Sequence, residues 1–560
     1  MGVTASEFKI SIPGPPVEAV PLGKTPPACY PQVELRAGSG TVTHPIAGAL
    51  LENAFVRVWV CASLGGRIIG LFDKRTGLWA IPLPDRLDLE QGGIRGVELN
   101  HGIEFLCGPE RLNRLGQTDL RIVENSSGGA AAFVFEWFGD TSWHGAVTLQ
   151  SDGATVTLEQ TLLNRSLLSK PLRGGVACPG MGSDGVCDDG EGNGFCLIDP
   201  DGGLALRSPG VWATLPADGR LGGRRADSWK ATLVPFTGLG RHLCSGQAIS
   251  IGADGDQLTT QFHQTIQGGK IFLSLDGQTL EAPIDNQPGP TTSTPVGQPA
   301  SSLDGVLVRG ADFSPLAKWP PDAQPQPVPL KFDHKVFDHM VHCRIDPHAL
   351  CRIPGMEAAA HGWLAEAAAR AGDRERADAE MERYLAYNAE DPLGWWLKAA
   401  IKRESGLDRT EIDRELPNAH YLAPLEPLLK AEAFLNTPQA QGREPNPLLA
   451  SVAADPGQAS GIVGAYLRHG LVQSAARLAD ELLRHRPNQM VHLLIAAAHI
   501  EHRSMEATAA EHVAAAEKLP LEPPFPYRPE EKAAVSRLAE RFPGSQTVSQ
   551  LARLTGAAKE

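Results

Sequence analysis

Residues 144–164 read HGAVTLQSDGATVTLEQTLLN. Apolar and polar side chains alternate on both sides of Ser151-Asp152-Gly153, and a turn tripeptide between two period-two runs marks a β-hairpin. Successive side chains of a strand point to opposite faces, so this alternation predicts a sheet with one face against a core. The rhythm continues outward through AFVRVWVCAS (54–63), AAAFVFEWFG (130–139) and GKIFLSLDGQTLEAP (269–283), each bounded by Gly, Asp or Ser. Many short strands at such spacing predict a large antiparallel double sheet over 46–285, preceded by an N-terminal extension, 1–45.

Composition then changes. Proline crowds the stretch that follows, and because proline cannot donate within a sheet or helix, 286–350 reads as a connector. From 351 to 560 apolar residues recur at three- and four-residue steps, the helical period. Gly372 and Ala377 in one helix pair correspond to Gly470 and Ala475 in another, about three periods of ~34 residues on. Small residues at such positions let paired helices approach closely, as in tetratricopeptide repeats. Plain packing of helices against the β part accounts for the same pattern.

A length of 560 residues predicts two or three domains, and a net charge of −14 argues against nucleic acid or an anionic membrane as partner. No run of about 18 apolar residues is present, and the first residues show no basic segment leading into an apolar one, so a cytoplasmic protein is expected. The nine cysteines include no Cys-x-x-Cys; Cys178, Cys187 and Cys196 recur at equal steps without a nearby histidine and read as reduced structural thiols. No cofactor fingerprint appears. In FDHKVFDHMVHCRIDPH (332–348), His339 and His342 share a helix face, but no fourth ligand is convincingly spaced, so no metal is expected.

The segment GGIRGVELNHGIEFLCG (92–108) carries Glu98 and Glu104 around Asn100 and His101. Taken as one strand, Val97, Leu99, His101, Ile103 and Phe105 line one face, and Glu98, Asn100 and Glu104 the other. The two glutamates would then lie roughly 20 Å apart. Glycosidase carboxyl pairs need about 5 to 9.5 Å, so the two cannot work together unless the backbone turns at His101-Gly102. Arg67, inside the apolar LGGRII, is costly to bury unless paired with an acid or a ligand.

Residues 50–105 resemble a bacterial domain-of-unknown-function family with a galactose-mutarotase-like fold followed by tetratricopeptide-type repeats. The matching motifs are Leu51-Glu52-Asn53, Leu64-Gly65-Gly66-Arg67-Ile68, Asp73-Lys74, Thr76-Gly77 and Gly102-Ile103-Glu104-Phe105, with Asn164-Arg165-Ser166 closing the 144–164 hairpin and 523–540 resembling the helical end. The resemblance implies a β-supersandwich whose concave face binds sugars, and it singles out Glu104 as a catalytic acid. The chain departs from the pattern in Leu106-Cys107-Gly108-Pro109, in His101-Gly102 where relatives carry two glycines, and in TTQFHQTIQGG (259–269), where His263 stands in a segment that lacks the family's glutamate.

On these grounds Glu104 is the first catalytic candidate, with Asp227 in RADSWK or Asp140 in FGDTSWH as the second carboxylate. Arg67, Glu98, Asn100, His101, Trp143, His144 and Trp229 are the candidate sugar contacts, tryptophans because aromatic faces stack on sugar rings. The expected activity is glycoside hydrolysis of a small oligosaccharide or glycoside. Two alternatives stay open: a mutarotase or epimerase using histidine–glutamate chemistry, and a sugar-binding scaffold whose helical half binds a protein or a second copy.

Overall fold

The computed structural model describes residues 2–21, 33–91, 97–107, 118–124, 128–138, 141–166, 174–199, 204–208, 210–214, 221–275, 277–296, 302–320, 357–406, 409–423, 425–437, 445–501, 506–521, 526 and 528–554. The fold is an antiparallel β region followed by a helical one. The predicted hairpin forms, Thr141–Leu149 pairing with Val156–Asn164 so that Leu149 faces Val156. It lies mid-sheet in seven strands, in spatial order Asp119–Glu124, Ala130–Phe138, Thr141–Leu149, Val156–Asn164, Ala226–Phe236, Gly194–Ile198 and Val186–Asp188.

Two smaller sheets cover its inner face. One has five strands (Thr4–Gly14, Val42–Glu52, Val56–Cys61, Arg67–Asp73, Leu78–Ile81), and the other has four (Glu104–Cys107, Gly174–Ala177, Val211–Thr214, Leu204–Ser208). Reciprocal backbone bonds between Ile68 and Ile103 join these two into one layer. Val58 and Val60, Phe105 and Val176, and Val134, Val147 and Leu158 of the seven-stranded sheet meet in one core. This is the sandwich that the alternation predicts.

Its boundaries differ from those expected. Thr4–Gly14 pairs along its whole length with Val42–Glu52 and so belongs to the sheet, while Val17–Pro21 and Val33–Ala37 pair as a separate two-stranded ribbon. Within the expected connector, Thr292–Pro295, Leu303–Arg309 and Pro315–Trp319 are strands of a second, smaller sandwich whose strands run from Arg241 to Trp319, with its own core around Ile249, Ile251, Val306 and Val308. Thr292–Pro295 and Pro315–Trp319 are edge strands, where a proline removes no ladder bond.

A buried polar lock fastens the two sandwiches. Asp73 is fully buried and accepts from Arg75 (2.7–3.0 Å), from Thr237 Oγ1 (3.0 Å) and from Gln261 Nε2 (2.8 Å). Arg75 also donates to the Phe262 carbonyl (2.7 Å) and to His263 Nδ1 (2.9 Å). The Asp73-Lys74-x-Thr76-Gly77 motif is thus a joint between β units.

The helical region is a series of helix pairs. Glu357–Arg370 and Arg374–Tyr387 turn at Gly372, and Pro456–Arg468 and Val472–His485 turn at Gly470, both glycines left-handed (φ 79° and 70°). Ala377 and Ala475 are fully buried, as close helix approach requires. The helices cover the outer face of the seven-stranded sheet, where Phe135, Trp137 and Leu163 join the helical core. Ion pairs seal this contact: Arg165 with Glu426, Arg224 with Glu366 (3.0 Å), and Lys430 with Asp119 (2.6 Å). Among the described residues no helix is long and apolar enough to cross a membrane.

Candidate functional site

Segment 97–107 is not one strand. Val97–Leu99 pairs with Leu89–Gln91, the chain bends at His101-Gly102, and Glu104–Cys107 begins a strand in another sheet. Gly102 makes the bend: its φ is +73°, and a Cβ there would stand 2.1 Å from the Ile68 carbonyl oxygen. The turn sets Glu104 beside Arg67.

Arg67 reaches that place through Gly65 and Gly66, both left-handed (φ 76° and 75°), which reverse the chain after the 3₁₀ turn Ala62–Leu64. Its guanidinium is buried. Nε donates to the Leu64 carbonyl (3.1 Å), Nη1 to those of Leu99 (3.0 Å) and His101 (2.8 Å), and Nη2 to Glu104 Oε2 (3.4 Å). Arg67 therefore pins the bend and meets the carboxylate at once. A cation so buried is tolerable because its fork of donors is met by acceptors.

Arg67, Glu104, Glu136 and Trp143 line one cleft, with Leu64, Gly65, Phe105 and Cys107 beside them; it encloses about 250 Å³ of space between atoms, the open mouth included. Glu136, from AAAFVFEWFG, was not among the sequence candidates. It is 5% exposed and accepts the Trp143 indole N–H at Oε2 (3.2 Å). Phe105 packs against the Trp143 ring (5.7 Å between centroids) and so fixes its orientation. The signal that could have found Glu136 is the one applied to Arg67: a charged residue inside an unbroken apolar strand is costly to bury without a partner.

The remaining candidates lie elsewhere. Glu136, Trp143, Leu162 and Asp227 form one cross-strand row of the seven-stranded sheet. Three strand spacings put Asp227 about 14 Å from Glu136 at the backbone, with Leu162 between, beyond the usual reach of a glycosidase pair. Asp227 Oδ2 is buried and has no hydrogen-bond partner among the described residues. Trp229 is a core residue and not a platform at the cleft: it is 5% exposed, packs on Phe105 and donates to Gln160 Oε1 (2.8 Å). His144 follows Trp143 and so points to the opposite, helix-covered face, in register with Phe135; burial pushes its pKa down to about 4. His101 bonds through its ring to the Ile69 carbonyl (3.0 Å), and burial lowers its pKa. Asn100 is exposed and donates to Glu90 Oε1 (3.4 Å). Glu98 pairs across from Glu90 at the backbone, its side chain lying outside the described residues, as do Asp140 and the whole histidine run 332–348.

His263 belongs to the lock between the sandwiches and not to the cleft. Arg75 can only donate to Nδ1, so Nε2 carries the hydrogen and donates to Ser250 Oγ (2.7 Å). A histidine that donates to the serine cannot take its proton, so Ser250–His263 is no nucleophile–base pair.

No family model matches the chain, and no curated protein matches its sequence. The family resemblance therefore stands on the motifs quoted above. Among solved structures, the chain is similar to a TPR-domain containing protein from Parabacteroides distasonis, at 13% identity over 99% of this chain and 92% of that one, with a TM-score of 0.31. It is also similar to a galactose mutarotase-like protein from Clostridium acetobutylicum (11% identity, 49% of this chain and 83% of that one, TM-score 0.21). A polysaccharide lyase matches at 11% identity over 90% and 81%, with a TM-score of 0.20. At these scores the architecture rests on the chain's own strands, register and cores.

Proposed function

We infer that the protein is a carbohydrate-active enzyme, a glycoside hydrolase acting on a small saccharide through Glu104 and Glu136. The observation that carries this is the meeting of two carboxylates, an arginine and an indole in one cleft. Hydrolysis needs one carboxyl to protonate the leaving oxygen and a second to act as base or nucleophile. Arg67 holds Glu104 in place, and the Trp143 N–H holds Glu136. Epimerisation fits less well, since neither His101 nor His144 lines the cleft. We place the activity in the cytoplasm, in keeping with free thiols at Cys61, Cys107, Cys178, Cys187, Cys196 and Cys244.

The test is a panel of nitrophenyl glycosides and short oligosaccharides with wild type, Glu104→Gln and Glu136→Gln, each checked for folding by circular dichroism. Turnover by wild type and a loss of about 10²- to 10⁴-fold in each variant are expected. No turnover on any substrate, together with unchanged sugar binding in both variants, would leave the cleft as a structural ion pair and refute the assignment.

A further inference from the structure

Three histidines gather in the helical region, far in sequence from the cleft. His492 and His499 lie two turns apart on helix Gln489–Glu501, and His512 lies on helix Glu506–Glu517 against which it packs. His492 Nδ1 and His512 Nδ1 are 3.0 Å apart, and the His499 ring stacks on that of His512 at 5.9 Å between centroids. We propose that His492 and His512 form a two-histidine site for a divalent transition-metal ion, which fastens these two helices together.

The spacing supports this. Two imidazole nitrogens each about 2.1 Å from one ion stand about 3.0 Å apart at a right angle and about 3.4 Å at the tetrahedral angle. In the metal-free pair one N–H lies between the two nitrogens; an ion takes the place of that proton once each ring turns by roughly 35–45° to aim its nitrogen at it. Imidazole suits Ni²⁺, Cu²⁺ and Zn²⁺. Both rings are partly exposed, so an ion has access from solvent. Asp480 and Glu511 add negative potential beside His512, which a cation favours. Among the described residues no three ligating groups already converge on one point, so water completes the coordination.

The experiment titrates Ni²⁺ and Zn²⁺ into chelator-treated full-length protein by calorimetry and follows the thermal midpoint. Wild type is compared with His492→Ala, His512→Ala and, because residues 332–348 offer other histidines, with His339→Ala/His342→Ala. Metal should raise the wild-type midpoint, since an ion that binds only the folded form stabilises it. His492→Ala and His512→Ala should each weaken binding at least about tenfold, as even changes behind the ligands cost that much, and should abolish the shift. The double variant should keep the shift. Wild type that takes up neither ion, a shift that survives in His512→Ala, or a shift lost only in the double variant would each overturn the proposal.

Discussion

Arg67→Met removes the guanidinium at the root of the cleft. Three carbonyls, those of Leu64, Leu99 and His101, would lose a donor, and Glu104 would lose its cation. Each buried acceptor left without a partner costs about 1 kcal/mol or more, so the carbonyls together account for about 3 kcal/mol. The contact to Glu104 is 3.4 Å, long against the 2.7–2.9 Å of a strong charge-assisted bond, and adds on the order of 1 kcal/mol. Arg67→Met should thus cost about 4 kcal/mol, Glu104→Gln about 1, and the double variant no less than Arg67→Met alone. Urea unfolding, read separately by tryptophan fluorescence and far-UV circular dichroism because a multidomain chain need not unfold in one step, measures all three. If Glu104→Gln costs as much as Arg67→Met, or the double variant regains most of the loss, then Arg67 is there for the carboxylate and not for the bend.

Gly102→Ala should destabilise by more than the ~1–3 kcal/mol of ordinary overpacking, because the new methyl meets a backbone oxygen at 2.1 Å and the φ of +73° is strained for alanine; the urea midpoint reports it. Asp73→Asn turns an acceptor of several bonds into a partial donor facing Arg75, and should cost about 3–5 kcal/mol and speed proteolysis near residue 240, detected by mass spectrometry. His144 and His242 are each depressed by burial to about 4, whereas an unfolded histidine protonates near 6.5. The unfolded chain therefore holds more protons between those values, and stability should fall as pH drops from about 6.5 towards 4 and stay flat above; His144→Leu should make that fall shallower in urea midpoints taken across pH.

Much of the β architecture was legible from residues 144–164, because a hairpin with a Gly turn and period two is a local signal. Parity was not: alternation says that Trp143 and His144 face opposite ways, but not which of them faces the cleft. Glu136 escaped notice because its strand is covered on both sides, by the inner sheets and by the helices, and a strand buried twice reads as a continuous apolar run in which one acid is easily passed over. The split of 97–107 turned on Gly102: the sequence allowed a turn there, but the Ile68 carbonyl that leaves no room for a Cβ lies 34 positions upstream, outside any local pattern. The strands of 286–320 were masked by proline, which excludes central strands but not edges.

Glu136 and Trp137 are consecutive, one turned into the cleft and the other into the helices. The Ala130–Phe138 strand is thus a party wall between two rooms. Cutting the gene after the last β residue would bare Phe135, Trp137 and Leu163 to water and leave Arg165 without Glu426. An exposed sheet face of that kind is prone to aggregate. The two regions have to be produced as one polypeptide, and a truncated β half is no fair stand-in when the cleft is assayed.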